Sequence, residues 1–349
     1  MKKILLINNG YPSKKNKQYT AYIKSIKESL EESGQTVDLL VMYADFSNKY
    51  MKIISYFKYY LKLLFFNSYN NYDYIYINNY PHSFLPLIFK LKKMNNLIIH
   101  WHGTDIFYEK FHTKLLNNLS YKFIPKNCLH ISPSTYFAAV ISKTLNIKQE
   151  DIFISASGGV DTEIFTSNRN EKSSINIGFA SNVSKEKGFG LFALLINRID
   201  SLEKEIHKKV HFHYIDYGEE KEIYKKEFIS NNHVKIHSLY SKNKMPDFYA
   251  QIDILLLPSS RKAESLGLVS LEAMSCNVPV VGTDAFAVKE YILEHQTGER
   301  FEIGDYDKMK QAIIRIVNNY EEYNPRDFII KNYSKQIVSN GYKEYFNDK

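Results

Sequence analysis

Residues 264–272 read Glu264-Ser-Leu-Gly-Leu-Val-Ser-Leu-Glu272, placing two carboxylates eight positions apart around a glycine and a short apolar run. Upstream, Ile254-Leu-Leu-Leu is a buried-type strand that stops at Pro258-Ser259-Ser260, and downstream Pro279-Val-Val-Gly282-Thr283 begins another. The block therefore reads strand, loop, helix, strand, with Glu264 in the loop and Glu272 a turn or two inside the helix. Two acids so placed can accept hydrogen bonds from different hydroxyls of one elongated polyol. The backbone N–H groups around Gly267 and Leu268, which open the helix, can receive a phosphate between them. The plainer reading is a solvated loop glutamate followed by a helix glutamate in a surface ion pair, and the spacing alone favours it.

The surroundings change that balance. Pro258–Thr283 resembles the signature of the family 4 retaining glycosyltransferases: two glutamates separated by seven residues, then Ala-Met, a small residue and Pro-Val-Val. Here the run is Glu272-Ala-Met-Ser-Cys-Asn-Val-Pro279-Val-Val. The resemblance implies a two-domain GT-B fold and transfer of a sugar from a nucleotide-sugar, a UDP-sugar first, with retention of configuration. By it, Glu264 holds sugar hydroxyls, Glu272 holds the ribose, and Ser265, Leu266, Gly267, Leu268 and Val269 lie along the donor.

The other segments extend the resemblance unevenly. Lys185-Glu-Lys187-Gly188 opens a helix after a strand, where a lysine reaches a diphosphate or is simply solvated. The family has an Arg–Lys pair there; Lys187 falls on the Lys and Asn182 on the Arg, a neutral replacement that Arg261 or Lys262 could offset. Trp101-His102-Gly103-Thr104-Asp105 follows a strand and reads as a site loop or as a turn capped by Thr104 or Asp105. It resembles the family's His-Gly-x-Asp motif, which implies His102 facing the transferred sugar and Asp105 holding the loop or orienting an acceptor. Ile154-Ser-Ala-Ser-Gly158-Gly159-Val160-Asp161-Thr-Glu-Ile-Phe165 resembles the family's Asn-Gly-Val-Asp-x-x-x-Phe hinge and reads as a flexible turn. Tyr217-Gly218 stands where the family often has Gly-x-Gly. Glu290 is a further donor-side candidate, otherwise a solvated helix carboxylate, and Tyr240 lies near the nucleotide base by position. Asn8-Asn-Gly10-Tyr-Pro12 fits the family's N-terminal loop, though its second glycine is absent, so Gly10 marks an acceptor-side loop or a plain turn.

These residues must be carried by α/β elements. The 349 residues suffice for two domains, and 44% hydrophobic with 24% charged residues is a globular composition. Strands are expected at Lys2–Ile7, Thr36–Met42, Tyr72–Ile77, Asn96–His100, Cys128–Ser132 and Ile152–Ser155. Helices between them are expected at 18–33, Tyr50–Phe66, Phe84–Lys93, Tyr108–Phe123 and Ser134–Leu145. A polar stretch, Ser167–Ser174, reads as a linker. The second half expects strands Ile175–Ala180, Val210–Ile215, Val234–His237 and Ile252–Leu257. Its helices fall near Phe189–Ile199, Glu219–Ile229, Met245–Gln251, Ala287–Leu293, Tyr306–Asn318 and Pro325–Tyr345. Such alternation implies parallel sheets covered on both faces. The expected division is 1–165 for the acceptor side, 166–325 for the nucleotide-sugar side, and a C-terminal helix 326–349 that packs back on the first domain. A cleft between two such halves is where ligands are expected.

The net charge of +8 is concentrated at the front: residues 1–126 hold 18 lysines, no arginine and 8 acidic residues. That surplus suits an anionic surface such as lipid headgroups or a lipid pyrophosphate. Tyr50–Phe66 interleaves Lys52, Lys58 and Lys62 with aromatic and aliphatic residues, the composition of an interfacial helix or of an ordinary sheet-covering one. No nucleic-acid motif accompanies it, so no nucleic-acid partner is expected. Cys128 and Cys276 have no metal-like spacing and suit a reducing compartment. No Asp-x-Asp stands beside a donor strand, so no divalent metal and no cofactor is expected. No 18-residue apolar run occurs. These features place the chain in the cytoplasm, peripheral at the inner face of the membrane, with a lipid-linked or surface glycan as acceptor and no indication of oligomeric state. The competing readings are a nucleotide-sugar 2-epimerase or glycan phosphorylase of the same architecture, and a non-catalytic sugar-nucleotide- or lipid-binding protein.

Overall fold

The computed structural model describes residues 1–349 except 14–15, 17–18, 44–45, 47, 95, 108–110 and 167–173, and only the backbone of 111–113 and 116. The expected linker thus lies almost wholly outside the described residues, as do the expected starts of the helices at Gln18 and Tyr108. The chain forms two compact units, residues 1–159 with 335–349, and residues 160–334. Each is a parallel sheet with helices, the doubly wound α/β architecture that the alternation of the sequence implies.

In the first unit the strands are β1 (Lys3–Tyr11), β2 (Thr36–Tyr43), β3 (Tyr74–Asn78), β4 (Asn96–His100), β5 (Leu129–Ser132) and β6 (Ile152–Ile154), in the order β2-β1-β3-β4-β5-β6. Leu5, Ile7, Ile75, Ile77, Leu97 and Ile99 form its core with Trp101 and Phe137. β1 is longer than expected: it runs through Asn8, Asn9 and Gly10, which the sequence reading placed in a loop, with a register shift between Asn8 and Tyr11. Gly158 and Gly159 both take left-handed backbone. A Cβ on Gly158 would stand 2.4 Å from the Ser25 carbonyl carbon, and Ser29 Oγ donates to the Gly158 carbonyl at 2.8 Å, so this turn is packed down rather than loose. The terminal helix Lys335–Asn347 belongs to this unit, where Lys335 pairs with Glu28 and Glu32.

The second unit contains β7 (Ile175–Phe179), β8 (Val210–Ile215), β9 (Val234–His237), β10 (Ile254–Leu257), β11 (Val280–Thr283) and β12 (Gly298–Phe301), in the order β12-β11-β10-β7-β8-β9. Ile177, Phe179, Phe189, Phe192, Phe212, Tyr214, Ile254 and Leu256 fill its core.

Several elements differ from expectation. β12 was not foreseen, because Gly-Glu-Arg-Phe carries no apolar alternation. Its Glu299 is nevertheless buried, held by Arg315 Nε at 2.7 Å and Tyr323 Oη at 2.8 Å. The expected helices Phe84–Lys93 and Ala287–Leu293 are 3₁₀ segments, Leu85–Lys93 and Phe286–Glu290. A separate helix, Ile199–Ile206, follows Phe189–Asn197. The expected Pro325–Tyr345 helix is two helices, Pro325–Asn332 and Lys335–Asn347, broken where the Tyr333 carbonyl accepts from Val160 N at 2.8 Å. Ahead of the helix Phe111–Tyr121 a short one, Gly103–Ile106, stands apart.

Candidate functional site

In the second unit the strand order reverses between β7 and β10. Loops leaving the C-terminal ends of strands flanking such a reversal turn to opposite faces and leave a crevice, the usual ligand position of this architecture. The loop after β7 carries Asn182 and Lys187; the loop after β10 carries Arg261 and Glu264 and ends at Gly267. The two are pressed together. Gly188 has φ 76°, and a Cβ there would lie 2.0 Å from the Pro258 carbonyl oxygen, so only glycine allows the approach. Across it, the Glu186 carbonyl accepts from Ser260 N at 2.9 Å, and Arg261 Nε stands 3.3 Å from a Glu186 carboxylate oxygen.

This contact brings Lys187 Nζ onto the Glu264 carboxylate as an ion pair whose side chains are only 15% and 8% exposed. Ser259 Oγ donates to the same Glu264 oxygen at 3.1 Å. Burial works to raise the Glu264 pKa, but the Lys187 charge and hydrogen bond, the Ser259 bond and the Arg261 charge outweigh it and hold the carboxyl below its ordinary value. Glu264 is therefore a fixed anion with a cation locked to it.

Gly267 follows at φ 80°, where a Cβ would meet Tyr291 Oη at 2.3 Å, and it opens the helix Leu268–Ser275. The first N–H groups of that helix have no partner within it and carry the positive end of its dipole. Ser265 and Val269 are half-buried and Leu266 is buried, so they shape this entrance. One turn in, Glu272 accepts from Tyr249 Oη at 3.2 Å. Burial pushes its carboxyl up to about 7, against the pull of Lys242 and the Tyr249 bond. The two glutamates are thus set apart electrically: one stays ionised, the other shares a proton near neutrality.

The remaining donor-side candidates follow the C-terminal ends of β7, β9 and β11 in the same unit. Asn182 is half-buried and precedes Val183, whose N–H donates to the Tyr217 carbonyl at 2.7 Å. Glu290 ends the 3₁₀ segment Phe286–Glu290, and its charge acts on Tyr291 and Tyr333. Tyr240 follows β9, with its hydroxyl 2.9 Å from His237 Nδ1 and its ring against Phe248. Residues not proposed for the site from sequence include Ser259, Lys242, Tyr249 and Tyr217, the last quoted only as part of a turn. Burial raises the Tyr217 phenol pKa, and the charges of Glu272 and Glu264 raise it further, so this side chain lies in the field of both acids. Its place just past the end of β8 was the available signal. For Lys242 and Tyr249 no local signal exists.

The first unit has its own reversal, between β1 and β3. Asn79 Nδ2 donates to Asn8 Oδ1 at 2.7 Å across it, and Tyr22 Oη donates to Asn79 Oδ1 at 3.2 Å. A Cβ on Gly10 would press the Tyr19 ring at 2.5 Å. His102 joins the cluster through Nε2, 3.0 Å from Asn78 Oδ1, with its ring 4.8 Å from that of Tyr22. Burial lowers its pKa to about 3, so the imidazole is neutral at physiological pH. Asp105 closes a capping box over Gly103–Ile106 by accepting from His102 N at 2.7 Å. Its carbonyl takes Asn117 Nδ2 at 2.6 Å and Tyr121 Oη at 2.9 Å. The Asp105 carboxylate thus ties the loop through His102 N, while the bonds to Asn117 and Tyr121 are made by its backbone carbonyl. Asn8, Asn78, Asn79 and Tyr22 were not singled out as individual site residues, and strand-terminal asparagines were the signal.

Among the described residues no three His, Cys, Asp or Glu side chains gather as a metal ion would need. No helix among them is long and apolar enough to cross a membrane.

Comparison with known proteins gives concordant results. Residues 160–336 match the family described as "Glycosyl transferases group 1". The chain is 32% identical over 97 residues to N-acetyl-alpha-D-glucosaminyl L-malate synthase of Bacillus anthracis, covering 27% of this chain and 25% of that protein. It is 27% identical over 96 residues to the capsular polysaccharide biosynthesis glycosyltransferase CapM of Staphylococcus aureus, covering 26% and 25%. The match thus spans about a quarter of the length of each of these relatives. Among solved structures, Anabaena Alr3699/HepE in complex with UDP and glucose superposes with a TM-score of 0.73 over 100% of both chains at 15% identity, a likeness of fold.

Proposed function

The chain belongs to the glycosyl transferases group 1 family, and on that premise we propose that it transfers a sugar from a nucleotide-sugar, a UDP-sugar first, to a lipid-linked or surface-glycan acceptor with retention of configuration. In such a transfer the bond from the sugar C1 to the diphosphate oxygen breaks with its electron pair passing to the diphosphate, and an acceptor hydroxyl oxygen bonds to C1 while its proton passes to the departing diphosphate. The protein must stabilise the charge that gathers on the leaving group.

The observation that carries the reading is the buried Lys187–Glu264 pair at the strand-order reversal, beside the opening of the helix Leu268–Ser275. Lys187, Arg261 and the N–H groups at Gly267 and Leu268 would face the diphosphate. Asn182 is neutral where the family has a cation, so that duty falls on Lys187 and Arg261. Glu264, kept ionised, would accept from sugar hydroxyls. Glu272, carrying a proton part of the time, can both accept from and donate to the ribose hydroxyls, while Tyr240 would stack near the base and Glu290 border the donor. In the first unit His102, Gly103, Asp105 and Gly10 would line the sugar and acceptor side. Because His102 is neutral, its part there is a hydrogen bond rather than a charge.

Support for UDP comes from Alr3699/HepE, which was solved with that nucleotide, and support for a surface glycan comes from the capsular relative. The lysine surplus of residues 1–126 suits a lipid-borne acceptor and an anionic membrane surface, which would place the enzyme at the cytoplasmic face. That the transfer needs no divalent cation is part of the proposal. A panel of UDP-, GDP- and other activated sugars, read by thermal stabilisation and then by transfer onto membrane extract with and without EDTA, tests these assignments. Stabilisation by no nucleotide-sugar would reject the reading.

A further inference from the structure

The helix Lys49–Phe65 is apolar on both sides: Tyr59 and Leu63 are buried in the core of the first unit, and Tyr56 and Tyr60 pack against it. Of its 17 residues only Tyr59 and Leu63 are buried. The side turned to solvent is apolar as well: Tyr50, Ile53, Ile54 and Phe57 recur at three- and four-residue spacing, Leu64 and Phe65 follow two turns on, and all are exposed, Phe57 by 62% and Phe65 by 75%. Lys58 and Lys62, both exposed, flank this stripe. The 3₁₀ segment Leu85–Lys93 continues the surface. Lys90 Nζ donates to the Phe66 carbonyl at 2.7 Å and to Asn67 Oδ1 at 3.1 Å, which fixes that segment against the end of the helix. Beside Lys90, Phe89 is 92% exposed, and Lys92 and Lys93 follow it into solvent. Exposed apolar groups on this scale mark a contact surface, since nothing in the fold of this unit needs them outside.

We propose that this face docks the protein on a bilayer of anionic lipid, with Tyr50, Ile53, Ile54, Phe57, Phe65 and Phe89 entering the interface and Lys58, Lys62, Lys92 and Lys93 on the headgroups. The charge decides the occupant. From Phe46 to Tyr72 and from Tyr74 to Thr104 the sequence has seven lysines and no acid. The acid between these stretches, Asp73, accepts from Lys3 N at 2.6 Å. A second copy meeting this face through its own would set lysine against lysine, an arrangement that like-charge repulsion penalises. A negatively charged, deformable apolar surface satisfies both halves of the patch. The proposal deepens the reading of a lipid-borne acceptor by naming the surface that would bring the enzyme to it, but its test does not depend on transfer.

The test is co-sedimentation of the full chain with sucrose-loaded vesicles of phosphatidylcholine alone, and of phosphatidylcholine and phosphatidylglycerol in equal parts. The expected result is binding to the mixed vesicles at least about tenfold tighter than to the neutral ones, weakening steeply with salt. Phe57→Glu and Phe65→Glu should each weaken it by at least about tenfold, the value of one large side chain left in water. Lys58→Gln with Lys62→Gln should cost about the same and lower the salt dependence by about half, since Lys92 and Lys93 remain. All these positions are exposed, so the thermal midpoint and its shift with UDP-sugars should match wild type, and failure of that shift in every protein would count against the donor assignment alone. Equal binding to both vesicle types, binding to neither, or variants that bind as wild type would overturn the proposal. So would a wild-type dimer that Phe57→Glu dissociates.

Discussion

Glu272 supplies a prediction whose sign and size both follow from its surroundings. Its carboxyl pKa rises from 4.5 to about 7 in the fold, with burial the leading cause. A group whose folded pKa is raised leaves stability intact below its unfolded pKa and removes it as pH climbs toward the folded value. Below pH 4.5 both states hold the proton and Glu272 costs nothing. Between 4.5 and 7 the unfolded chain ionises first and the fold loses ground, and above 7 the loss levels off. A tenfold change in proton affinity corresponds to about 1.4 kcal/mol, so the full cost approaches about 3 kcal/mol. Glu272→Gln keeps an amide oxygen for Tyr249 Oη and has no charge to desolvate. It should therefore gain about 3 kcal/mol over wild type at pH 8 and under about 1 kcal/mol at pH 5. For a unit the size of residues 160–334 this is roughly 6–12 °C in Tm at pH 8. Scanning calorimetry of both proteins at the two pH values measures it, taking the transition that responds to nucleotide-sugar. A gain of equal size at pH 5 and pH 8, or a loss at pH 8, would refute the reasoning, since neither follows from a carboxyl held protonated by burial.

Further outcomes follow from the same geometry. Lys187→Met should destabilise by about 3–5 kcal/mol near neutral pH, because it strands Glu264 in a buried site; the loss should shrink as pH falls through the ordinary carboxylate range, which urea titrations across pH would show. Gly188→Ala forces a Cβ toward the Pro258 carbonyl at positive φ, so a loss above about 1 kcal/mol is expected in the same assay, together with weaker thermal stabilisation by UDP-sugars. Ser259→Ala removes one donor from Glu264 and should cost about 1–2 kcal/mol. Since His102 is neutral from about pH 3 upward, the pH profile of transfer between 5 and 8 should be the same for His102→Asn as for wild type, whatever the change in overall rate.

The site was legible where the sequence punctuates itself. Pro258, Gly267 and Pro279 bracket a strand, a loop and a helix, which places Glu264 in the loop and Glu272 in the helix; that the two belong to one site rests on the family resemblance. The parallel sheets were legible for the same reason, since apolar strand runs alternate with turn residues. Tertiary pairing was not. Lys187 and Glu264 were each singled out, yet their ion pair spans 77 positions, and it depends on Gly188 fitting against the Pro258 carbonyl. β12 was invisible because Glu299 enters the core only with Arg315 and Tyr323 attached. The break after Asn332 arises because the Tyr333 carbonyl accepts from the Val160 N–H, a partner 173 positions away. Periodicity sees only near neighbours along the chain, so it joined two helices into one. The outward apolar face of Lys49–Phe65 was likewise undecidable from pattern, because a stripe of aromatic and aliphatic residues looks the same whether it faces a sheet or a lipid.

The most direct test of the central claim is sugar transfer by Glu264→Gln, measured with the nucleotide-sugar that stabilises the wild-type protein and with a membrane-extract acceptor. The substitution keeps the shape and removes the charge that Lys187 and the sugar hydroxyls are proposed to share. A fall in transfer of at least about a hundredfold, with a folded protein, is the predicted result. Transfer at the wild-type rate by that variant would contradict the account.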